Sequence, residues 1–268
     1  MYFCITMEKI SAVIISFNEE KKIVRCIRSV RKVADEVVVV DSFSTDGTPQ
    51  LVKELGARLI QHPFEGYIEQ KNYALKQASY DWVLSLDADE VLSDALKKSI
   101  EKVKEKPLYD GYCMNRLTFL EEKPIRCCGW YPDTKLRLFR HSKGEWTGLN
   151  PHDEFRFHQK TETGFLQGDL LHYSFDSKAD WLEQTKKFAR IGAESYLLQK
   201  KKTSLLFGIL SPISRFFRDY FLKGGWLAGA TGWEVSRMNA KASRLKYHHL
   251  QRLKKKTAGT PQGAPSAD

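Results

Sequence analysis

The hydrophobic positions of this chain change character about two thirds of the way along. From Ile10 to about Leu92, short apolar runs alternate with segments of helical spacing. Residues 11–17, 36–40, 58–60 and 82–86 read as strands, and residues 19–33, 48–55 and 68–78 as helices. The run Val37-Val38-Val39-Val40 is continuous where a half-exposed strand would alternate. Strands of this kind are buried on both faces, which predicts a parallel sheet covered by helices. Residues 94–106 predict a further helix closed by Pro107, and residues 112–119 and 134–139 strands of a mixed sheet edge. Residues 129–148 are rich in glycine, tryptophan and turn signals.

After Lys178 the strand pattern disappears. Residues 181–202 and 234–256 predict basic amphipathic helices, and residues 205–222 an apolar segment that Pro212 is expected to kink or restart. Residues 257–268, low in complexity, are expected to be disordered. The expected organisation is therefore residues 1–177 as an α/β unit, 178–256 as a helical region and 257–268 as a tail.

Open α/β sheets bind ligands beyond the carboxyl ends of their strands. Three predicted strands end there in polar groups: Asn18-Glu19, Asp41-Ser42 and Asp87-Ala88-Asp89. The third is the most pointed, because the buried run from Trp82 to Leu86 stops in Asp87, Asp89 and Glu90. Carboxylates so placed suit a hard cation such as Mg²⁺ or Mn²⁺, which uses one or two protein carboxylates and completes its shell with water and phosphate. A solvated turn feeding a helix N-terminus would use the same residue types. No G-x-G-x-x-G or G-x-x-x-x-G-K-[ST] occurs, so neither a dinucleotide fingerprint nor a P-loop is supported.

Composition narrows the class. A hydrophobic content of 42% is that of a folded protein. No apolar run approaches the roughly 20 residues of a membrane span, and the first residues lack the pattern of a secretory signal. Five cysteines with no C-x-x-C spacing fit reduced thiols, hence a cytoplasmic protein. The net charge of +10 is concentrated in the last third, where Lys186-Lys187, Lys200-Lys201-Lys202 and Lys254-Lys255-Lys256 suggest an anionic surface as partner.

In order and spacing, four segments resemble family 2 glycosyltransferases with the GT-A fold: Ser16-Phe17-Asn18-Glu19-Glu20, the stretch from Val40 to Thr48, Gln70-Lys71-Asn72-Tyr73-Ala74-Leu75, and Leu86-Asp87-Ala88-Asp89-Glu90. Lys135-Leu136-Arg137-Leu138-Phe139-Arg140 and Asn150-Pro151-His152-Asp153-Glu154 narrow the resemblance to the lipopolysaccharide-core β-1,4-glucosyltransferase branch. It covers residues 9–175 and extends only loosely into the helical remainder. The fold it implies is a Rossmann-like mixed sheet with a C-terminal helical extension.

The resemblance implies roles. Asp87 contacts ribose or metal, and Asp89 ligates the Mn²⁺ or Mg²⁺ that bridges a diphosphate. Asp41, Asn18 and Glu19 face base and ribose, and Lys71 reaches a phosphate, with a plain surface lysine as the alternative. His172 lies where a third group often approaches the metal or diphosphate. An inverting transfer needs a carboxylate base. Many relatives carry His-Glu where this chain has His152-Asp153-Glu154, so Asp153 is expected first and Glu154 second. Trp130, Tyr131 and Trp146 are core by default, with a sugar-stacking surface as the alternative.

The implied activity is a metal-dependent, inverting hexosyl transfer from a UDP-sugar, expected to be UDP-glucose, to a lipid-linked saccharide such as lipopolysaccharide inner core. An anionic membrane surface on the inner face of the cytoplasmic membrane is the expected further partner, self-association an open alternative, and nucleic acid is not expected. A nucleotidyltransferase would bring a Gly-rich basic loop near its start, where this chain has acidic Ser16 to Glu20. A non-enzymatic membrane-binding protein would not need the ordered acidic strand ends.

Overall fold

The computed structural model describes residues 7–149, 152–199 and 204–258. The alternating first part folds as β1 (Ile10–Ser16), α1 (Ile23–Val30), β2 (Glu36–Asp41), α2 (Thr48–Glu54), β3 (Arg58–Gln61), α3 (Tyr67–Leu75) and β4 (Trp82–Asp87). β3, β2, β1 and β4 lie side by side in that order and all parallel. The strand order reverses at β1, which has β2 on one flank and β4 on the other, and crevices at such reversals take ligands. Ser16 pairs with Asp41 and Ile15 with Asp87, so both acidic strand ends emerge beside the end of β1.

The chain continues as β5 (Glu90–Leu92), α4 (Asp94–Glu105), β6 (Gly111–Leu120), β7 (Lys123–Pro124) and β8 (Asp133–Arg140). β9 (Gly144–Leu149), β10 (His152–Phe157) and β11 (Gly164–Phe175) follow. β8 joins β4 antiparallel, and the nine-stranded sheet runs on through β6 and β11 to β5, with β7 paired to β6. β9 and β10 form a separate antiparallel hairpin. The α/β class with a mixed sheet, expected from the sequence, is what the chain adopts.

Period-2 alternation splits β1 between two cores. Ile10, Ala12 and Ile14 pack with Ile23, Ile27, Leu96 and Ile100 on one face of the sheet. Val13 and the partly buried Ile15 pack on the other with Ala74, Leu75, Phe139, Trp146 and Phe155, so α3 and the β9–β10 hairpin cover that face. Each fully buried Val, Leu, Ile or Phe among them stabilises by about 1.5–3 kcal/mol. Trp146, weighed above against a stacking role, is core.

Two sequence expectations are corrected here. The first predicted helix begins at Ile23, four residues later than expected. Asn18 sits at φ 54, and the amides of Asn18, Glu19 and Glu20 donate to Ser44 Oγ, Thr48 Oγ1 and Asp46 Oδ2, which draws residues 18–20 away from helical hydrogen bonding. The second concerns Pro212: of the kink and the restart expected there, the restart does not occur, since α6 runs through it.

The chain divides into two units. One runs to Arg126 and from Trp130 to Asp176, and the other comprises Cys127–Gly129 with the chain from Ser177. In the second, α5 (Lys178–Leu198) starts at Ser177, whose hydroxyl accepts from the Asp180 amide as an N-cap. α6 (Leu205–Phe217) passes through Pro212 and widens into a π turn at Arg218–Leu222. A 3₁₀ turn then leads into α7 (Gly229–Ala258), which packs on both α5 and α6. α7 includes Thr257 and Ala258, the first two residues of the expected tail, whose other residues lie outside the described ones, as does the Lys200–Lys202 cluster.

Two features fix this helical unit. Asp219, fully buried, accepts from Arg215, Arg218 and Asn239 Nδ2, which ties the π turn to α7. Gly232 lies so near the 3₁₀ turn that a Cβ there would stand 1.8 Å from the Gly225 carbonyl oxygen.

That contact sets a paired prediction. Alanine is about 1 kcal/mol better than glycine in a helix, but backbone cannot yield as a side chain does, and overpacking costs about 1–3 kcal/mol or more. Gly232→Ala is therefore expected to lower the urea unfolding free energy. Gly192→Ala, whose new methyl would meet only the flexible Lys246 side chain at 3.4 Å, is expected to leave it equal or higher. Equal effects from the two would remove the close approach as an explanation.

Candidate active site

The loop after β2 and the loop after β1 are zipped together. Asp41 is fully buried, and its carboxylate accepts from Ser16 Oγ, the Ser44 amide and Ser44 Oγ. Asn18 Oδ1 accepts from the Thr45 amide at 2.8 Å, and Glu20 Oε2 from the Gly47 amide at 2.8 Å. Asn18 is exposed at this rim and Glu19 half-buried, whereas Asp41 lies beneath it and holds the loop's shape. Two aromatic residues, Phe17 and Phe43, stand more than half exposed at the two loop tips.

Three consecutive residues of α3 do separate jobs. Gln70 donates to Ser42 Oγ and meets His62 Nδ1, each at 3.0 Å. Asn72 exchanges two hydrogen bonds with the backbone of Trp146 and so fixes α3 to β9. Lys71, between them, is 4% exposed and points into the sheet edge. Its Nζ lies 2.7 Å from Asp153 Oδ2 and 3.4 Å from Asp87 Oδ1, and 4.6 Å above the Trp146 ring. One ammonium therefore joins the end of β4 to β10.

Strand alternation separates the two acids on β10. Asp153 shares a face with Phe155, which packs in the core, and reaches Lys71. Glu154 points the other way, is exposed and pairs with Arg156. The structure thus brings Asp153 into the cluster and leaves Glu154 out. Asn150 and Pro151 lie outside the described residues, and of His152 only the strand position is described.

Beneath the acidic strand end lies a cation from residues 135–140, to which the sequence assigned no role. Arg137 on β8, 3% exposed, donates to Glu90 Oε1 at 2.8 Å and to Asp87 Oδ2 at 3.0 Å. Glu90 is fully buried, approaches Arg116 at 3.6 Å, and accepts from the Asp87 amide. Burial alone pushes the Asp87 carboxyl up, but the charges of Lys71 and Arg137 outweigh it and hold Asp87 well below the usual carboxylate range. Burial likewise lowers the Arg137 pKa, and Glu90 with Asp87 more than reverses it. The legible signal was a charged residue two positions before buried Phe139 on an alternating strand, hence on the same face.

Asp89 and His172 meet because β5 pairs with β11. Glu90 stands opposite His172 and the Tyr173 amide donates to the Asp89 carbonyl, which brings His172 Nε2 to 3.2 Å from Asp89 Oδ2. Burial raises the Asp89 pKa, and the charge and hydrogen bond of His172 bring it below the ordinary value. Tyr67, at the start of α3, also belongs here and was missed: burial, then the fields of Asp87, Asp153 and Asp89, push its phenol up.

The cluster retains unmet bonding capacity. Among the described residues, Asp87 Oδ1, Arg137 Nε and Trp146 Nε1 are buried without a hydrogen-bond partner. A divalent cation fits the donors at hand. Asp89 and His172 offer paired oxygen and imidazole ligands, and Asp87 Oδ1 is a buried carboxylate oxygen with bonding capacity to spare. No group of three or more His, Cys, Asp or Glu among the described residues is placed to hold a metal. Mg²⁺ and Mn²⁺ typically use one or two protein carboxylates and complete their shell with water and phosphate.

The family is found by comparison. The model of glycosyl transferase family 2 matches residues 11–126, which include the β1, β2 and β4 strand ends and Lys71. An uncharacterized glycosyltransferase of Rickettsia prowazekii is 32% identical over 94% of this chain and 89% of its own length. The lipopolysaccharide core biosynthesis glycosyltransferase LpsC of Rhizobium meliloti is 29% identical over 84% of this chain and 85% of its own. Among solved structures, S. aureus TarS 1–349 in complex with UDP-GlcNAc aligns over 97% of this chain and 95% of that one, at 15% identity and a TM-score of 0.46. By its matched motifs and its near full-length relatives, the chain belongs to glycosyl transferase family 2.

Proposed function

We propose that this glycosyltransferase is inverting and moves a hexose, glucose by the sequence resemblance, from a UDP-sugar to a lipid-linked saccharide of the lipopolysaccharide inner-core kind. The observation that carries the reading is the chain Asp153–Lys71–Asp87, in which one buried ammonium sits between a carboxylate on the hairpin and the strand-end acid. An inverting transfer needs a base near the diphosphate end of a donor, and these two carboxylates come from different elements, β10 and the end of β4. The LpsC similarity supports the acceptor class.

Asn18 and Glu19 at the loop rim, shaped by Asp41, form the wall for base and ribose. Asp87 and Asp89 would hold the divalent cation, Mn²⁺ or Mg²⁺, with His172 beside Asp89. When bound, the cation neutralises the departing diphosphate. Lys71 places a positive charge between the reacting groups, and its ion pair keeps Asp153 fixed as it takes the acceptor hydroxyl proton. Arg137 holds the strand end in shape from below.

Two substitutions test these roles. Asp89 is a ligand candidate and not part of a core, so Asp89→Ala is expected to abolish transfer while circular dichroism and unfolding midpoint stay near wild type. Wild-type turnover by a folded Asp89→Ala protein would exclude it as a ligand.

Asp153→Asn keeps the shape and removes the proton acceptor. A general base contributes about 10²–10⁴-fold, so kcat is expected to fall by that order with UDP affinity nearly unchanged, while Glu154→Gln stays near wild type. The reverse pattern would assign the base to Glu154.

A further inference from the structure

The helical unit carries an apolar face that its own helices do not cover. Leu206, Ile209, Leu210, Ile213, Phe217 and Phe221 recur at helical spacing through α6 and the π turn, and each is more than half exposed. Trp226, Leu227 and Trp233, on the 3₁₀ turn and the first turn of α7, are also exposed. Water-facing monomers rarely show a contiguous apolar surface of this extent.

Beside this face runs a groove of about 660 Å³ within the helical unit, with Trp181, Ile213, Phe216, Phe217 and Met238 among the residues that line it. Its α7 wall carries Arg237, Lys241 and Arg244, spaced to follow one another along one side of the helix. None of the three makes an ion pair among the described residues, and the one carboxylate in the groove, Glu234, is already bridged by Lys178. The groove therefore presents apolar side chains below and unneutralised cations above.

Which partner satisfies both follows from charge. A second copy of this chain packing the same face in a two-fold dimer would bring each copy's uncompensated cations onto the other's. A bilayer surface rich in anionic lipid supplies acyl chains for the apolar stripe and phosphates for the cations, and exposed tryptophans suit its interface. No helix of the described residues is long and apolar enough to cross a membrane, so the element would lie on the surface and not span it.

We infer that α6 and the adjoining groove dock this protein on anionic phospholipid, with the α6 stripe set into the headgroup boundary and Arg237, Lys241 and Arg244 on lipid phosphates. The inference does not rest on the catalytic reading, since docking is measured with neither donor nor acceptor present.

The test is sedimentation of the full-length protein with vesicles of phosphatidylcholine alone and of phosphatidylcholine mixed with phosphatidylglycerol, at low and high salt. Binding is expected to the mixed vesicles at low salt and to weaken as salt rises. The triple variant Arg237→Gln, Lys241→Gln, Arg244→Gln is expected to bind about a hundredfold more weakly, from the typical worth of a basic residue at an anionic surface. Ile209→Ser with Phe217→Ser, both at exposed positions, should also weaken it, and circular dichroism shows whether each variant keeps its helices. Absence of binding to mixed vesicles at low salt, or equal binding by a folded triple variant, overturns the inference. So does a wild-type dimer that Ile209→Ser with Phe217→Ser converts to monomer while vesicle binding stays unchanged, because the face would then belong to a second copy.

Discussion

The site depends on burying carboxylates at the end of a sheet strand, and a buried charge is tolerated only with a partner. Arg137 is that partner. It reaches Glu90 and Asp87 at once from the neighbouring antiparallel strand. Removing one member of such a buried pair typically costs about 3–5 kcal/mol, because the other is left uncompensated. The addition of β8 to the parallel core is thus also what allows the acidic turn after β4 to exist where it does. Lys71 repeats the device on the open side, with the difference that its second carboxylate, Asp153, comes from a hairpin outside the main sheet.

The geometry explains why the motifs of this chain are spaced as they are. Ser16, Asp41 and Asp87 are far apart in sequence and adjacent in register, because β1 lies between β2 and β4. Gln70, Lys71 and Asn72 are consecutive and serve a loop, an ion-pair chain and a hairpin in turn. The helix needs all three because it joins the loop after β2 to the hairpin.

What could be read from residues alone was the part governed by strong local pattern. The continuous runs of β1, β2 and β4 announce doubly buried parallel strands, and the acidic end of β4 stands out because apolar sequence precedes it. Besides the two-residue β7, four strands escaped. β5 has only three residues, and β9 and β10 mix glycine, acids and aromatics without a long apolar run. β11 is interrupted by Gly168 and Asp169 and pairs through register shifts. Those strands decide the details of the site. The pairing of β5 with β11 sets His172 against Asp89, and the pleat of β10 separates Asp153 from Glu154, a distinction of one residue that no composition signal carries. The role of Arg137 was hidden for a different reason: its two carboxylate partners, Asp87 and Glu90, are far from it in sequence.

The segment Cys127–Gly129 belongs to the helical unit although the chain on both sides of it belongs to the sheet. The Cys128 amide donates to the Lys223 carbonyl, and its thiol lies 3.3 Å from Ser236 Oγ. That unit is consequently discontinuous in the gene. It is not a module that a fusion at residue 177 could append to the sheet unit, or that a stop codon there could cleanly remove. A recombination event that exchanged it would need two crossovers, and exchanged relatives should vary together at 127–129 and in the helices that receive them.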